Sequence, residues 1–174
     1  MAKTKSVLGQ NPQSLADAAV AVVVSIDNTD DLSLLDQDAR TLLEAADQLV
    51  MAETGEELGE ALAHNLRVWV AVKAIVGADR NPLPEEIRIN LDQLARYVIR
   101  TTLAVEEGKV TASGIETMAR INVAVAEGLM HSQRNHLVRD RAYQLWEVHG
   151  QSENRTLENW LQAERDIEAL LATD

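Results

Sequence analysis

Carboxylates and imidazoles are the side chains of this sequence that could hold a metal ion, and their spacing indicates whether they could do so together. Two pairs of glutamates lie four residues apart and would each share a helix face: Glu53 with Glu57, and Glu164 with Glu168. Neither pair stands in the Glu-x-x-His setting of carboxylate metal sites in helical bundles. The chain has four histidines: His64, His131, His136 and His149. No two of them are three or four residues apart, as two imidazoles aimed at one metal from one helix would be. We interpret both sets as solvated or singly hydrogen-bonded groups and predict no metal and no cofactor.

Nucleophilic chemistry and phosphate binding also lack their sequence signatures. The chain contains no cysteine, which removes thiolate catalysis and disulfides together. No Gly-x-Ser-x-Gly turn is present to activate a serine. The eight glycines are isolated, whereas a phosphate cradle needs a glycine-rich loop. We therefore predict that the protein is not an enzyme and assign no catalytic residue.

The charge distribution bears on the kind of partner. The net charge is −12 over 174 residues, and most of the acidity lies in residues 1–64, with 3 basic against 12 acidic side chains. A negative field opposes contact with phosphate groups, so direct nucleic-acid binding is disfavoured. The longest apolar run, 18–24, is far shorter than a membrane span, and the N-terminus lacks the form of a signal peptide. We expect a cytoplasmic protein with no membrane contact.

The elements that would position these residues are helices. Apolar residues recur at spacings of three and four, and only three prolines interrupt the chain. We predict an all-α fold, a helical bundle with a C-terminal helical hairpin. The predicted organisation is an acidic, partly helical segment at 1–38, a helical domain at 39–130 and the hairpin at 131–174.

Local signals mark the ends of the predicted helices. A first helix near Ser14 has a β-branched run that could equally form a short strand. A second carries one apolar face from Leu35 to Val50. A third starts at a capping box of Thr54 with Glu57. It ends at Gly77, a residue suited to the left-handed conformation at a helix terminus.

The later helices are marked by proline, glycine and threonine. Pro84 suits the first position of a fourth helix, which runs out near 108, and a fifth opens at Thr111 or Ser113. The polar stretch 131–136 indicates a linker or a solvated helical turn. In the hairpin, Gly150 ends the first arm and Thr156 caps the second.

Two asparagines break the apolar pattern. Asn65 shares a helix face with Leu62 and Trp69, and Asn122 stands among apolar residues of the fifth helix. Their amides could satisfy loop or helix-end backbone groups, such as those of the 81–84 connector. Alternatively, they could line the edge of a groove; we favour the first interpretation. Trp69 is predicted to anchor the core of a chain that has no phenylalanine.

These residues carry a resemblance to a known family. The matching positions are Ala61, Leu62, Asn65, Arg67 and Trp69, then 81–85 with Leu94, Ala95, Val98 and Arg100, and finally Ile121, Asn122, Gly128 and Leu129. At these spacings the chain, from about residue 39 to residue 130, resembles the FlaF family of bacterial regulators of flagellin synthesis and export. The tail resembles a short proteobacterial helical-hairpin domain of unknown function.

The resemblance implies a non-enzymatic adaptor that couples flagellin synthesis to secretion. It would bind flagellin or a partner regulator, as a chaperone-like protein that receives an amphipathic helix in an apolar groove. The residues predicted to contact the partner are Asn65, Arg67, Trp69, Asn81, Pro82, Leu83, Pro84 and Asn122. Two alternatives stay open at this point. One is a structural module that forms a homo-oligomer. The other is a post-transcriptional regulator that contacts RNA through basic residues of the neutral middle: Arg67, Lys73, Arg80, Arg88, Arg96 and Arg100.

Overall fold

The computed structural model describes residues 32–78, 83–106 and 112–172. The predicted helix or strand after Ser14 lies outside these residues. The described helices are α1 (Leu32–Met51), α2 (Gly55–Val76), α3 (Glu85–Glu106), α4 (Ala112–Val148) and α5 (Thr156–Leu171), with a 3-10 turn at Glu153–Arg155. No strand occurs within the described ranges. The all-α prediction, a bundle followed by a helical C-terminal region, is confirmed.

Helices α1 to α4 form the bundle, and the short connections between them make successive helices antiparallel. Helix α1 packs along α4 and against α2, and α2 packs along α3, whereas α3 and α4 approach each other closely at only a few points. The core residues are those of the apolar faces: Leu42, Leu49, Leu62, Trp69, Val76, Ile87, Leu91, Leu94, Val98, Met118, Ile121 and Val125. The 3.6-residue periodicity of the sequence therefore identified the buried faces.

The start of α2 is fixed by the predicted capping box. The Thr54 hydroxyl accepts a hydrogen bond from the Glu57 N–H at 3.2 Å. The Glu57 carboxylate accepts from the backbone N–H groups of Thr54 at 3.0 Å and Glu53 at 2.9 Å. These backbone donors hold the pKa of Glu57 below its ordinary value. Three N–H groups at this helix start are thus satisfied by local side chains.

Helix α2 ends where predicted, but the predicted left-handed conformation of Gly77 is wrong. Gly77 has φ −80° and ψ −4°, in the right-handed region, and its N–H donates to the Lys73 carbonyl at 3.0 Å. The helical hydrogen-bond pattern therefore extends to this residue without needing a positive φ. A Cβ at Gly77 would lie 3.3 Å from the same carbonyl oxygen, so the missing side chain relieves a close contact.

Helix α4 is continuous through the polar stretch 131–136, and the linker interpretation of that stretch is wrong. The helix has 37 residues, so it is about 55 Å long. Ser132 is buried and residues 133–136 are half-buried. The stretch contacts α5, where Arg134 donates to Glu168 at 2.6 Å. The boundary between residues 130 and 131 stays a prediction.

The hairpin of α4 and α5 has a small core of its own. Val138, Ala163 and Ile167 are buried, with Leu137 and Leu145 packed around them. The first arm ends as predicted, since α4 stops at residue 148 and Gly150 has φ +74°. That positive φ favours glycine.

The predicted cap at Thr156 is wrong. Its hydroxyl donates to the Glu153 carbonyl at 2.8 Å, and the N-terminus of α5 has no side-chain cap. The reason lies in the 3-10 turn that precedes α5. That turn already orders residues 153–155, so Thr156 lies within helical structure and its side chain reaches back to a carbonyl.

The ion pair of Arg141 with Asp166 makes the hairpin sensitive to acid. The Arg141 Nε donates to the Asp166 carboxylate at 2.7 Å, and the Gln162 amide donates to it at 2.7 Å. These donors hold the pKa of Asp166 below its ordinary value of 3.8. A lowered pKa stabilises the fold above the ordinary value, and the stabilisation is lost as the pH falls through the lowered pKa.

We predict that Asp166→Asn lowers the urea midpoint at neutral pH and flattens its decline as the pH falls from about 5 to about 2. The variant has no carboxylate whose protonation could break the pair. Urea denaturation followed by circular dichroism at several pH values measures the midpoint. Glu147→Gln, at an exposed position of the same hairpin, is the control and should keep the decline of the wild type. Identical pH profiles for Asp166→Asn and the wild type would contradict the prediction.

Candidate functional site

A shallow apolar groove runs along the outside of the bundle between α1 and α4. It encloses about 650 Å³. Its apolar lining consists of Leu43, Ala46 and Val50 from α1 and Ala119, Val123 and Ala124 from α4. The α1 residues stand at spacings of three and four, on the edge of the buried face formed by Ala39, Leu42, Ala46 and Leu49. The apolar stripe of α1 is thus wider than its contact with α4, and its outer edge becomes a wall of the groove.

The depth of this groove comes from small side chains. Ala46, Ala119 and Ala124 are nearly buried, at 5, 4 and 7% exposure, whereas Val50 is 62% exposed. Because the floor residues are alanines, they leave an open space beside the protruding side chain of Val50. A helix that docked there could bring its ridge of side chains into the space between α1 and α4.

The rim of the groove is charged. Asp47 stands on the α1 side, and Glu116, Arg120 and Glu127 stand on the α4 side. All four are exposed. Arg120 donates to Glu116, one turn away on the same helix, at 2.5 Å. Three carboxylates against one guanidinium give the rim a formal charge of −2, with an acid on each side.

A buried chain of polar side chains links α2 to α4 through the centre of the bundle. The Trp69 indole N–H donates to Asn122 Oδ1 at 2.7 Å, and Asn122 Nδ2 donates to Asn65 Oδ1 at 2.8 Å. Asn65 Nδ2 lies 3.9 Å from the sulfur of Met118, and the hydroxyl of Thr102 is 3.4 Å from that sulfur. All five side chains are fully buried.

This network changes the interpretation of the two asparagines. Neither amide satisfies a loop or helix end, and neither lines a groove edge. Instead they bond to each other and to Trp69, because a buried amide needs partners and the facing helix supplies them. The prediction of Trp69 as a core anchor is confirmed, since it has no exposed surface.

The structure does not bring the eight predicted partner-binding residues to one surface. Asn65, Trp69 and Asn122 are interior, so a partner would reach them only if the bundle opened. Of the others, Arg67 and Pro84 are exposed and Leu83 is half-buried against the core. Asn81 and Pro82 lie outside the described residues. The role of the eight residues in partner binding stays a prediction.

Pro84 precedes α3 instead of occupying its first position. The helix begins at Glu85, and the Pro84 carbonyl accepts the N–H of Arg88 at 3.1 Å. Pro84 thus has the position of a helix cap, which contributes its carbonyl to the first helical hydrogen bond. The first turn of α3 is acidic, since Glu85 and Glu86 follow directly.

Sequence reasoning did not single out the groove. Leu43, Ala46 and Val50 were assigned to one helical face. Part of that face stays uncovered because of the way α1 pairs with α4, and this pairing cannot be read from the sequence of α1. The available signal was the width of the α1 stripe, which continues to Leu43 and Val50 beyond the row of Leu42 and Leu49.

The described residues offer neither a metal centre nor a membrane span. They contain no group of three or more histidine, aspartate or glutamate side chains placed to hold a metal ion. Among the described helices, none combines the length and the apolar composition that crossing a bilayer requires.

Comparison with known families gives two matches. Residues 23–129 match the model of a family described as flagellar protein FlaF, which covers more than half of the chain. Residues 133–169 match a family described as a protein of unknown function, DUF2934. The two matches adjoin within α4. No curated protein and no solved structure matches the chain.

Proposed function

The chain belongs to the FlaF family of flagellar proteins, and from this premise we propose that it is a non-enzymatic adaptor that couples flagellin synthesis to secretion. It does so by binding flagellin or a partner regulator in the cytoplasm. The structural observation that carries the proposal is the apolar groove between α1 and α4. An exposed apolar surface bordered by charged residues is typical of a protein interaction site.

The dimensions of the groove suit a short helix. Its lining spans residues 43–50 of α1 and 116–127 of α4, which correspond to about 10 Å and about 16 Å along the helix axes. A partner helix of two to three turns covers that length. Such a segment would place residues at spacings of three and four into the groove, as in other helix-in-groove complexes.

Two observations weigh against the alternative functions. For RNA contact, the described basic residues of the middle lie on two helices, α2 and α3, and Arg96 is already paired with Asp92 at 2.6 Å. A homo-oligomer formed through the groove would bring its acidic rim against the acidic rim of a second copy. Binding of an amphipathic segment from another protein agrees with both the apolar floor and the charge.

We predict that the full chain binds monomeric cognate flagellin in a calorimetric titration with a Kd below about 50 μM. Val50→Glu should weaken this binding by at least about tenfold, because it places a carboxylate at the apolar wall and costs well over 1 kcal/mol. Val70→Glu is the matched control. Val70 is also an exposed valine, on α2, and lies outside the groove lining.

Two outcomes would contradict parts of this proposal. Absence of binding at tens of micromolar would overturn direct flagellin binding and leave a partner regulator as the ligand to titrate next. Equal weakening by Val50→Glu and Val70→Glu would refute the groove as the contact surface. Circular dichroism of both variants establishes that the fold is intact.

A further inference from the structure

We infer that the α1–α4 groove selects amphipathic helices whose apolar stripe is flanked by lysine or arginine. The inference rests on the proposed function, since it takes the groove as the binding site. It adds the chemistry by which a ligand is recognised, and it predicts discrimination between helices of equal hydrophobicity.

The first support is the shape of the floor. Ala46, Ala119 and Ala124 form it, and Leu43, Val50 and Val123 stand around it. An alanine floor lets the partner helix approach closely and admits its aliphatic side chains. The floor contributes affinity for any amphipathic helix, so it does not distinguish between ligands of different charge.

The second support is the position of the rim charges. A helix in the groove would have Asp47 along one flank and Glu127 along the other. Glu116 also lies on the α4 flank and is paired with Arg120 at 2.5 Å. A docked helix would therefore meet a carboxylate on each side of its apolar stripe. Charge complementarity of this kind acts mainly on specificity and on the association rate.

The charge also argues against two other occupants of the groove. Residues 15–31 of the same chain carry four aspartates and no basic residue: Asp17, Asp27, Asp30 and Asp31. Docking of that segment would place acids against an acidic rim. A second copy that presented its own groove face would do the same. Like-charge contacts of this kind are unfavourable, whereas a basic-flanked helix neutralises the rim.

The test uses the full chain and two synthetic helical peptides with the same leucine and alanine stripe. One peptide has lysines on both flanks, and the other has glutamates there. Fluorescence anisotropy should give an affinity for the lysine peptide at least about tenfold higher than for the glutamate peptide. The ratio should shrink as salt is raised, because the rim charges are exposed and screened.

Charge reversal at the rim supplies the decisive variant. Asp47→Lys combined with Glu127→Lys should reverse the preference, so that the glutamate peptide binds more tightly. Glu60→Lys combined with Glu147→Lys changes the net charge by the same amount at exposed positions outside the groove. This control should keep the preference for the lysine peptide.

Three outcomes would overturn the inference. The first is equal affinity for the two peptides, and the second is an equal effect of the rim variant and the control. The third is failure of both peptides to bind the full chain. The last is expected if residues 1–31 or a second copy fill the groove. Flagellin binding without peptide discrimination would refute the inference alone. Peptide discrimination without flagellin binding would refute only flagellin as the partner.

Discussion

Replacement of Trp69 by alanine is expected to lower the free energy of unfolding by about 3–5 kcal/mol, the usual cost of removing a buried tryptophan from a core. Trp69 has no exposed surface, and its indole N–H donates to Asn122 at 2.7 Å. The variant therefore creates a large cavity and also leaves the Asn122 oxygen without its donor. Urea denaturation followed by circular dichroism measures the loss as a shift of the midpoint.

Two further variants separate the contributions to this loss. Trp69→Phe keeps most of the ring volume and removes the N–H donor, so about 1–3 kcal/mol of the loss should remain. Trp160→Ala is the control for tryptophan removal, since Trp160 is 36% exposed on α5. It should cost clearly less than Trp69→Ala. A loss below about 1 kcal/mol for Trp69→Ala would contradict its role as the core anchor.

The helices could be predicted from the sequence because their signals are local. The apolar stripe of α1, the capping box of Thr54 with Glu57 and the glutamates after Pro84 each act within a few residues. The interpretation of residues 131–136 as a linker was wrong because tertiary structure decided the outcome there. Residues 131–136 are polar, and polarity alone does not distinguish a linker from a helix. Here α5 packs against the continuing helix, and no proline or glycine lies between Gly128 and Gly150.

The candidate site could not be predicted because it depends on which helices meet. Trp69 and Asn122 are 53 residues apart in sequence, and no local pattern indicates that an indole on α2 faces an amide on α4. The groove depends in the same way on the pairing of α1 with α4. The sequence showed that Asn65 and Asn122 break an apolar face, but we assigned their amides to loop or helix-end groups. Their partners became evident only from the packing.

Asn122 is the central member of the network, and we expect Asn122→Ala to lower the free energy of unfolding by about 2–6 kcal/mol. Its oxygen accepts from Trp69 and its Nδ2 group donates to Asn65. Truncation leaves two buried polar groups without partners, and each costs about 1–3 kcal/mol. Chemical denaturation gives the loss. Asn154→Ala, at an exposed position of the 3-10 turn, should stay within about 0.5 kcal/mol of the wild type.

A double-mutant cycle shows whether the two asparagines act as one unit. Once Asn122 is alanine, the Asn65 oxygen has already lost its donor, so Asn65→Ala removes less than it does in the wild type. We therefore expect the double variant to be more stable than the sum of the single losses predicts, with a coupling energy of about 0.5–3 kcal/mol. Strictly additive losses would show that Asn65 and Asn122 contribute separately, and that the 2.8 Å contact between them does not join α2 to α4 energetically. A large coupling energy would mean that the polar contact between Asn65 and Asn122 helps to hold α2 against α4 in the centre of the bundle.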